Sequence, residues 1–192
     1  MKNSEPISNP DIGKTIGLEN GLIWTSLVGK GDLTVIFISG AGTVGLDYYE
    51  LQQKVSSESA AFIYDRMGIG YSSPCILPRT SLAVIEELHE LLEKAQLSKP
   101  YIVVGHSLGG LYARHFATKY QNDVLGLVLL DPAHEDYNHY MPDELNKIRK
   151  IKLDSKQKQP KIYKSSGLLL KIASHSIGRT ILGLVPMVRK YQ

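Results

Sequence analysis

Tyr101-Ile102-Val103-Val104-Gly105-His106-Ser107-Leu108-Gly109-Gly110-Leu111-Tyr112-Ala113-Arg114 is the stretch on which the reading of this chain turns. Its first four residues are apolar, two of them valines, which predicts a buried strand. Gly110 to Arg114 opens a helical pattern. Between them Gly105–Gly109 forms a G-x-S-x-G turn. A strand that turns into a helix within five residues forces its apex into a strained backbone conformation. It also brings strand and helix so close that the residues two before and two after the apex must lack side chains, which accounts for Gly105 and Gly109. The Ser107 hydroxyl is then lifted above the sheet at a helix N-terminus, whose free N–H groups favour developing negative charge. Ser107 is therefore the first candidate for chemistry.

Outward from this centre, Leu33–Ile38, Ala60–Asp65 and Val124–Leu130 are further continuous apolar runs and predict buried strands. Gly21–Val28 alternates loosely and predicts a first strand, after a loose lead-in over residues 1–14. Leu46 to about Ser57 predicts a helix. So does the stretch from Thr80 or Ser81, with Leu82, Ile85, Leu88, Leu92 and Ala95 on one face and acidic residues opposite, and so does 108–120. Strands alternating with helices imply an α/β fold with a mostly parallel, right-handed, doubly wound sheet. Ligands of such sheets bind beyond the carboxyl ends of the strands. The glycine loop 39–45, the loop after Asp65, Ser107 and Asp131 all fall at those ends.

With 192 residues, 43% hydrophobic and 21% charged, the chain has the size and composition of one ordinary domain. Cys75 is the only cysteine, which excludes an internal disulfide and fits a reducing compartment, so a cytoplasmic location is expected. The first residues lack the apolar centre of a secretory signal, and no run reaches the roughly 18 apolar residues of a spanning helix. The net charge of +3 conceals a division: residues 1–146 carry 10 Lys+Arg against 18 Asp+Glu, and residues 147–192 carry 12 against 1. The basic cluster from Lys147 to Lys164 reads as a solvated helix face, with an anionic surface as the sharper alternative. Nothing matches a nucleic-acid module, and no nucleic-acid partner is expected. The expected organisation is a core over 1–137 and a basic, helical lid over 138–192. In the lid, 143–158 reads as a helix and 165–185 as one or two apolar helices, including Thr180–Val185. The segment 165–190 is amphipathic enough for contact with a membrane surface.

Four motifs stand in register: Ser39-Gly40-Ala41-Gly42, Tyr64-Asp65-Arg66-Met67-Gly68-Ile69-Gly70-Tyr71-Ser72, the turn Gly105–Gly110, and Leu129-Leu130-Asp131-Pro132. Together they resemble the α/β-hydrolase superfamily over about residues 15–137. The resemblance implies Ser107 as nucleophile and an oxyanion hole made by the backbone N–H groups of Leu108 and Ala41. It implies a carboxylesterase-like enzyme acting on an ester, thioester or amide bond of a small molecule, with no cofactor and no metal. Many members carry His where this chain has Ser39, a change that leaves the backbone donor intact. The family usually places its acid after the strand that follows Asp131 and its base His after the last strand. Neither strand is legible here, so the fold is expected to be a truncated form with a C-terminal helical lid, and inactivity of the chain is a stated alternative. Asp131 is the candidate acid, because a minority of the family uses that strand end. His134 and His139 come next after it and are the candidate bases. His106 is expected to pack within the turn, His89 and His115 to lie on helices and His175 in the lid. Asp131, His134, Asp136 and His139 form no recognised metal-ligand spacing. The Asp131 strand would be left as a sheet edge, which implies marginal stability or self-association.

Two rival readings use the same residues. Gly40-Ala41-Gly42-Thr43-Val44-Gly45 is a literal G-x-G-x-x-G between a strand and a helix, and Asp65 ends the next strand, as a dinucleotide-binding domain requires. That reading leaves the Gly105–Gly110 turn and the Asp65–Ser72 loop without a role. The other is a binding protein that keeps the hydrolase fold without turnover.

Overall fold

The computed structural model describes residues 12–75, 78–140, 142–145, 147 and 183–185. Among the described residues seven strands form one sheet: β1 (Lys14–Leu18), β2 (Gly21–Val28), β3 (Thr34–Ile38), β4 (Ala60–Tyr64), β5 (Tyr101–Ser107), β6 (Val124–Pro132) and β7 (Gly183–Val185), in the order β1-β2-β4-β3-β5-β6-β7. The central pairs β3/β4, β3/β5 and β5/β6 are parallel. The flanking pairs β1/β2, β2/β4 and β6/β7 are antiparallel. From β3 the chain moves to β4 on one side; from β5 it moves to β6 on the other. The loops leaving the carboxyl ends of β3 and β5 therefore diverge, and the crevice between them is where a doubly wound sheet receives a ligand.

Alternation along the strands explains their unbroken apolar character. Ile36, Ile38, Phe62, Tyr64 and Val103 face one side, packed with Ile85, Leu88 and Leu92 of α2 (Ser81–Lys94) and Phe116 of α3 (Leu108–Lys119). Val35, Phe37, Ala61, Ile63 and Val104 face the other, where Leu46, Tyr48 and Val55 cover them. Both faces are dry, so both parities must be apolar. The stretch after the glycine loop starts as a 3-10 turn (Gly45–Tyr48) and continues as α1 (Tyr49–Val55). Its fully buried Gln52 donates through Nε2 to the carbonyls of Ser26 (2.9 Å) and Ala61 (3.0 Å), tying α1 to β2 and β4. Thr80 caps α2, its hydroxyl accepting from Ala83 N–H. The buried stripe of α2 is Val84, Ile85, Leu88, Leu91 and Leu92, whereas Leu82 is 44% exposed.

Three expectations change. The lead-in ends in a strand, β1, which borders β2 and shows mostly exposed side chains. Gly183–Val185, expected in a helix, is the strand β7; an apolar triplet carries no period of its own, and the open side of β6 offers unpaired backbone groups to it. For the same reason the expected bare edge is covered at Leu127–Leu129, which pair with Val185, Leu184 and Gly183. The chain divides into two compact units, one of residues 1–133 with 181–192 and one of 134–180. In the second, α4 (Tyr137–Tyr140) and residues 143–145 are helical. The helices expected over 148–158 and 165–182, the membrane-surface contact of 165–190 and His175 fall outside the described residues. Among the described residues no helix is long and apolar enough to cross a membrane.

Candidate active site

Ser107 ends β5 and precedes the first residue of α3, with φ 51° and ψ −120°. A residue with a side chain pays about 1–3 kcal/mol for this region and keeps it only where the surroundings enforce it. The enforcing contacts come from the glycines. A Cβ on Gly105 would stand 2.5 Å from the Gly109 carbonyl oxygen and 2.8 Å from Ala113 Cβ. A Cβ on Gly109 would overlap the Ile38 carbonyl of β3, and one on Gly110 would stand 2.5 Å from Pro132 Cβ. The turn is thus wedged between β3 and β6. Ala133 N–H donates to the Ser107 carbonyl at 2.8 Å, fixing the apex from behind. Leu108 is the first residue of α3, so its N–H has no partner inside the helix.

The loop after β3 stands opposite. A Cβ on Gly40 would lie 3.4 Å from Ser107 Cβ and 3.2 Å from His106 Nδ1, so the loop passes the turn at van der Waals contact. Ser39 is buried, and its hydroxyl donates to the Thr43 carbonyl at 3.0 Å, closing the loop on itself. The guanidinium of Arg66, 5% exposed, holds this loop from below. Nη1 donates to the Ser39 carbonyl (2.6 Å) and hydroxyl (3.1 Å), and Nη2 donates to the Gly40 carbonyl (2.6 Å). Its Cζ lies 5.5 Å from the centre of the Tyr112 ring of α3.

Asp65 is fully buried and serves the same architecture. Oδ1 accepts from Gly45 N–H at 2.6 Å and Oδ2 from Tyr71 N–H at 2.9 Å, while its carbonyl accepts from Ser72 Oγ at 2.5 Å. Burial pushes its carboxyl above the ordinary value, against the pull of the two N–H groups and of Arg66. A carboxylate that is fully buried, with each oxygen turned to a backbone N–H, is out of reach of a ribose. Gly45 opens a 3-10 turn rather than an α-helix N-terminus. The dinucleotide reading of Gly40, Gly42, Gly45 and Asp65 is thereby set aside.

A cleft of about 220 Å³ opens between the two loops, lined among others by Ala41, Arg66, Met67, Ile69, Leu108 and Tyr112. The structure thus brings the residues of both expected oxyanion donors to one mostly apolar cleft beside Ser107. Asp131, at the end of β6, has φ 43° and an exposed side chain, a second non-glycine residue in the left-handed region at this edge of the sheet. His106 is exposed rather than packed in the turn, because β5 has run past the covered part of the sheet at that point. His115 Nδ1 is 2.8 Å from Ser81 Oγ, which joins α3 to α2. His134 and His139 belong to the second unit, where His134 Nδ1 accepts from Asp136 N–H at 3.1 Å and His139 lies edge-on to Tyr140.

The amino ends of β5 and β6 carry a separate polar group. His89, Glu93 and Asp123 offer metal-ligand atoms within 4.8 Å of one another. Lys99 Nζ sits 2.8 Å from Glu93 Oε1 and 3.0 Å from Asp123 Oδ2, so an ammonium already bridges the two carboxylates and offsets half of their charge. The Lys99 pKa is raised by these hydrogen bonds.

Comparison with known proteins gives the same fold. A family model described as the alpha/beta hydrolase fold matches residues 34–161. The uncharacterized protein YqjL of Bacillus subtilis (strain 168) is 35% identical over 130 residues, 66% of this chain and 51% of that protein. The (lyso)-N-acylphosphatidylethanolamine lipase of Homo sapiens is 30% identical over 134 residues, 66% of this chain and 39% of that protein. A thermophilic esterase from Thermogutta terrifontis superposes with a TM-score of 0.63 at 20% identity, over 76% of this chain and 54% of that one. The chain therefore spans about half or less of the length of these curated relatives. The matched span runs from β3 through the glycine loop, the Asp65–Ser72 loop and the Ser107 turn to beyond Asp131, and the chain belongs to the α/β-hydrolase fold family.

Proposed function

We propose that the chain carries the acyl-transfer half of a serine hydrolase site for small esters, thioesters or amides. The observation that carries this reading is the strained Ser107 facing the Gly40 loop, with Ala41 and Leu108 lining one cleft beside it. In the proposed reaction Ser107 Oγ attacks the substrate carbonyl carbon and its proton passes to a base. The carbonyl oxygen takes the negative charge and is met by the N–H groups of Ala41 and Leu108. Each such fixed donor lowers the barrier by about 3 kcal/mol, because it is aimed before the charge develops. The leaving alcohol, thiol or amine takes up the proton, and water releases the acyl group by the same path. The apolar lining of Met67, Ile69 and Tyr112 suits an uncharged acyl chain. The relative named as a (lyso)-N-acylphosphatidylethanolamine lipase is consistent with an acyl substrate. Asp131 is the proposed acid and His134 or His139 the proposed base. A serine without its base loses several orders of magnitude in rate while the oxyanion donors persist.

Hydrolysis of p-nitrophenyl esters of graded acyl length, with Ser107→Ala, His134→Ala and His139→Ala beside the natural chain, tests the reading. It predicts turnover that vanishes in Ser107→Ala and falls in one of the two histidine variants. Ester binding without turnover in every protein favours a non-catalytic binding role on the same fold.

A further inference from the structure

We infer that Arg66, acting with Ser39, is the positioning residue that aims the Ala41 N–H; this rests on the serine-hydrolase reading above. Across a trans peptide the C=O and the following N–H point in opposite directions. The bond joining Gly40 to Ala41 is trans. Arg66 Nη2 fixes the Gly40 carbonyl at 2.6 Å, so the Ala41 N–H of that same plane is turned away from Arg66. Nη1 holds the preceding Ser39 carbonyl at 2.6 Å and thereby fixes the next plane back. Successive carbonyls of a strand point to opposite sides, so two adjacent ones drawn to one guanidinium mark the point where the chain leaves β3, and the bonds to Arg66 hold them there. A planar guanidinium suits it, because its fork supplies two donors at fixed spacing.

Ser39 completes the device. Its hydroxyl accepts from Arg66 Nη1 and donates to the Thr43 carbonyl, so one side chain clamps the loop ends together and docks them on the guanidinium. Arg66 is itself fixed: it is 5% exposed, follows the fully buried Asp65 directly and lies against Tyr112. Its charge-assisted bonds are of the short, strong kind and are the compensation for burying a cation here. Gly40 passes Ser107 at van der Waals contact, so a small rotation of this plane moves the donor relative to the serine. In its bonding Arg66 touches the loop rather than the reacting atoms, which makes it a positioning residue.

The test uses the full chain and the variants Arg66→Lys and Arg66→Ala. Lysine keeps the charge and loses the fork. Steady-state hydrolysis of a p-nitrophenyl ester should show kcat falling by about ten- to a hundredfold in both variants with KM little changed. Added guanidinium should restore kcat in Arg66→Ala. Amide hydrogen exchange at residues 40–43 should quicken in both, while exchange in β3 and β5 stays as in the natural chain. Wild-type kcat together with unchanged loop exchange in Arg66→Lys overturns the inference. A natural chain without ester turnover removes the serine reading, and loop exchange in Arg66→Lys then decides on its own whether the fork holds the loop.

Discussion

At the scale of single residues the site is built from positions where a side chain has no room. Gly109 is the clearest, since its Cβ would overlap the Ile38 carbonyl of the neighbouring strand. Gly109→Ala should cost about 2–4 kcal/mol, read as a drop in denaturant midpoint, because backbone on both sides leaves nothing flexible to yield. Asp65 gives a prediction with a sign. Burial raises its carboxyl in the folded chain above the ordinary value of about 3.9. The folded state therefore holds the proton more tightly than the unfolded one. The stability this group contributes is fully present below the ordinary value and is lost as pH rises through the raised one. Asn at this position does not titrate, and its amide cannot accept from both Gly45 and Tyr71. The gap in melting temperature between the natural chain and Asp65→Asn should accordingly be wider at about pH 4 than at neutral pH. A gap independent of pH would remove burial as the dominant influence on Asp65.

At the scale of elements, what the sequence reveals follows from burial. β3, β4 and β5 are buried on both faces, so each reads as a continuous apolar run. β1 is an edge strand with mostly exposed residues, Lys14 and Thr15 among them, and shows neither run nor alternation. β7 has three residues, too few for a period to form, and its apolar residues serve a helix equally well on paper. The Ser107 turn and the glycine loop were legible because close backbone approach demands glycine. The adjacency of Asp65 and Arg66 points to a pair that braces the active-site loop, but the partners Ser39 and Gly40 were not legible, since a buried arginine and a surface arginine look alike in sequence. Gln52 was hidden for the same reason. Leu82 misled because it flanks the buried stripe of α2 and is apolar without being inside. The pairing of β7 has its own consequence. Leu184→Pro removes the backbone N–H of the residue opposite Val128 and should loosen the cover over Leu127–Leu129. Size-exclusion chromatography should then show concentration-dependent association that the natural chain lacks; identical elution of both proteins at all concentrations would mean that β7 does not protect this edge.

At the scale of the whole molecule, the strand order and the site are one fact. Because β3 leads to β4 and β5 leads to β6 on opposite sides, the two loops that leave them part and form a cleft at the carboxyl edge. One loop contributes Ala41, the other Ser107 and Leu108, and the buried Asp65–Arg66 pair fastens the first loop at Ser39, Gly40 and Gly45. The charge division places the acidic excess in 1–146 with the site and the basic excess in 147–192. The proposed function requires Ser107 to be a reactive nucleophile. It is tested most directly by treating the full chain with a fluorophosphonate probe and locating the adduct by peptide mass spectrometry, with Ser107→Ala alongside. A single adduct on Ser107 is expected in the natural chain and none in the variant. A folded natural chain that takes up no probe, or equal labelling of the Ser107→Ala variant, would contradict it.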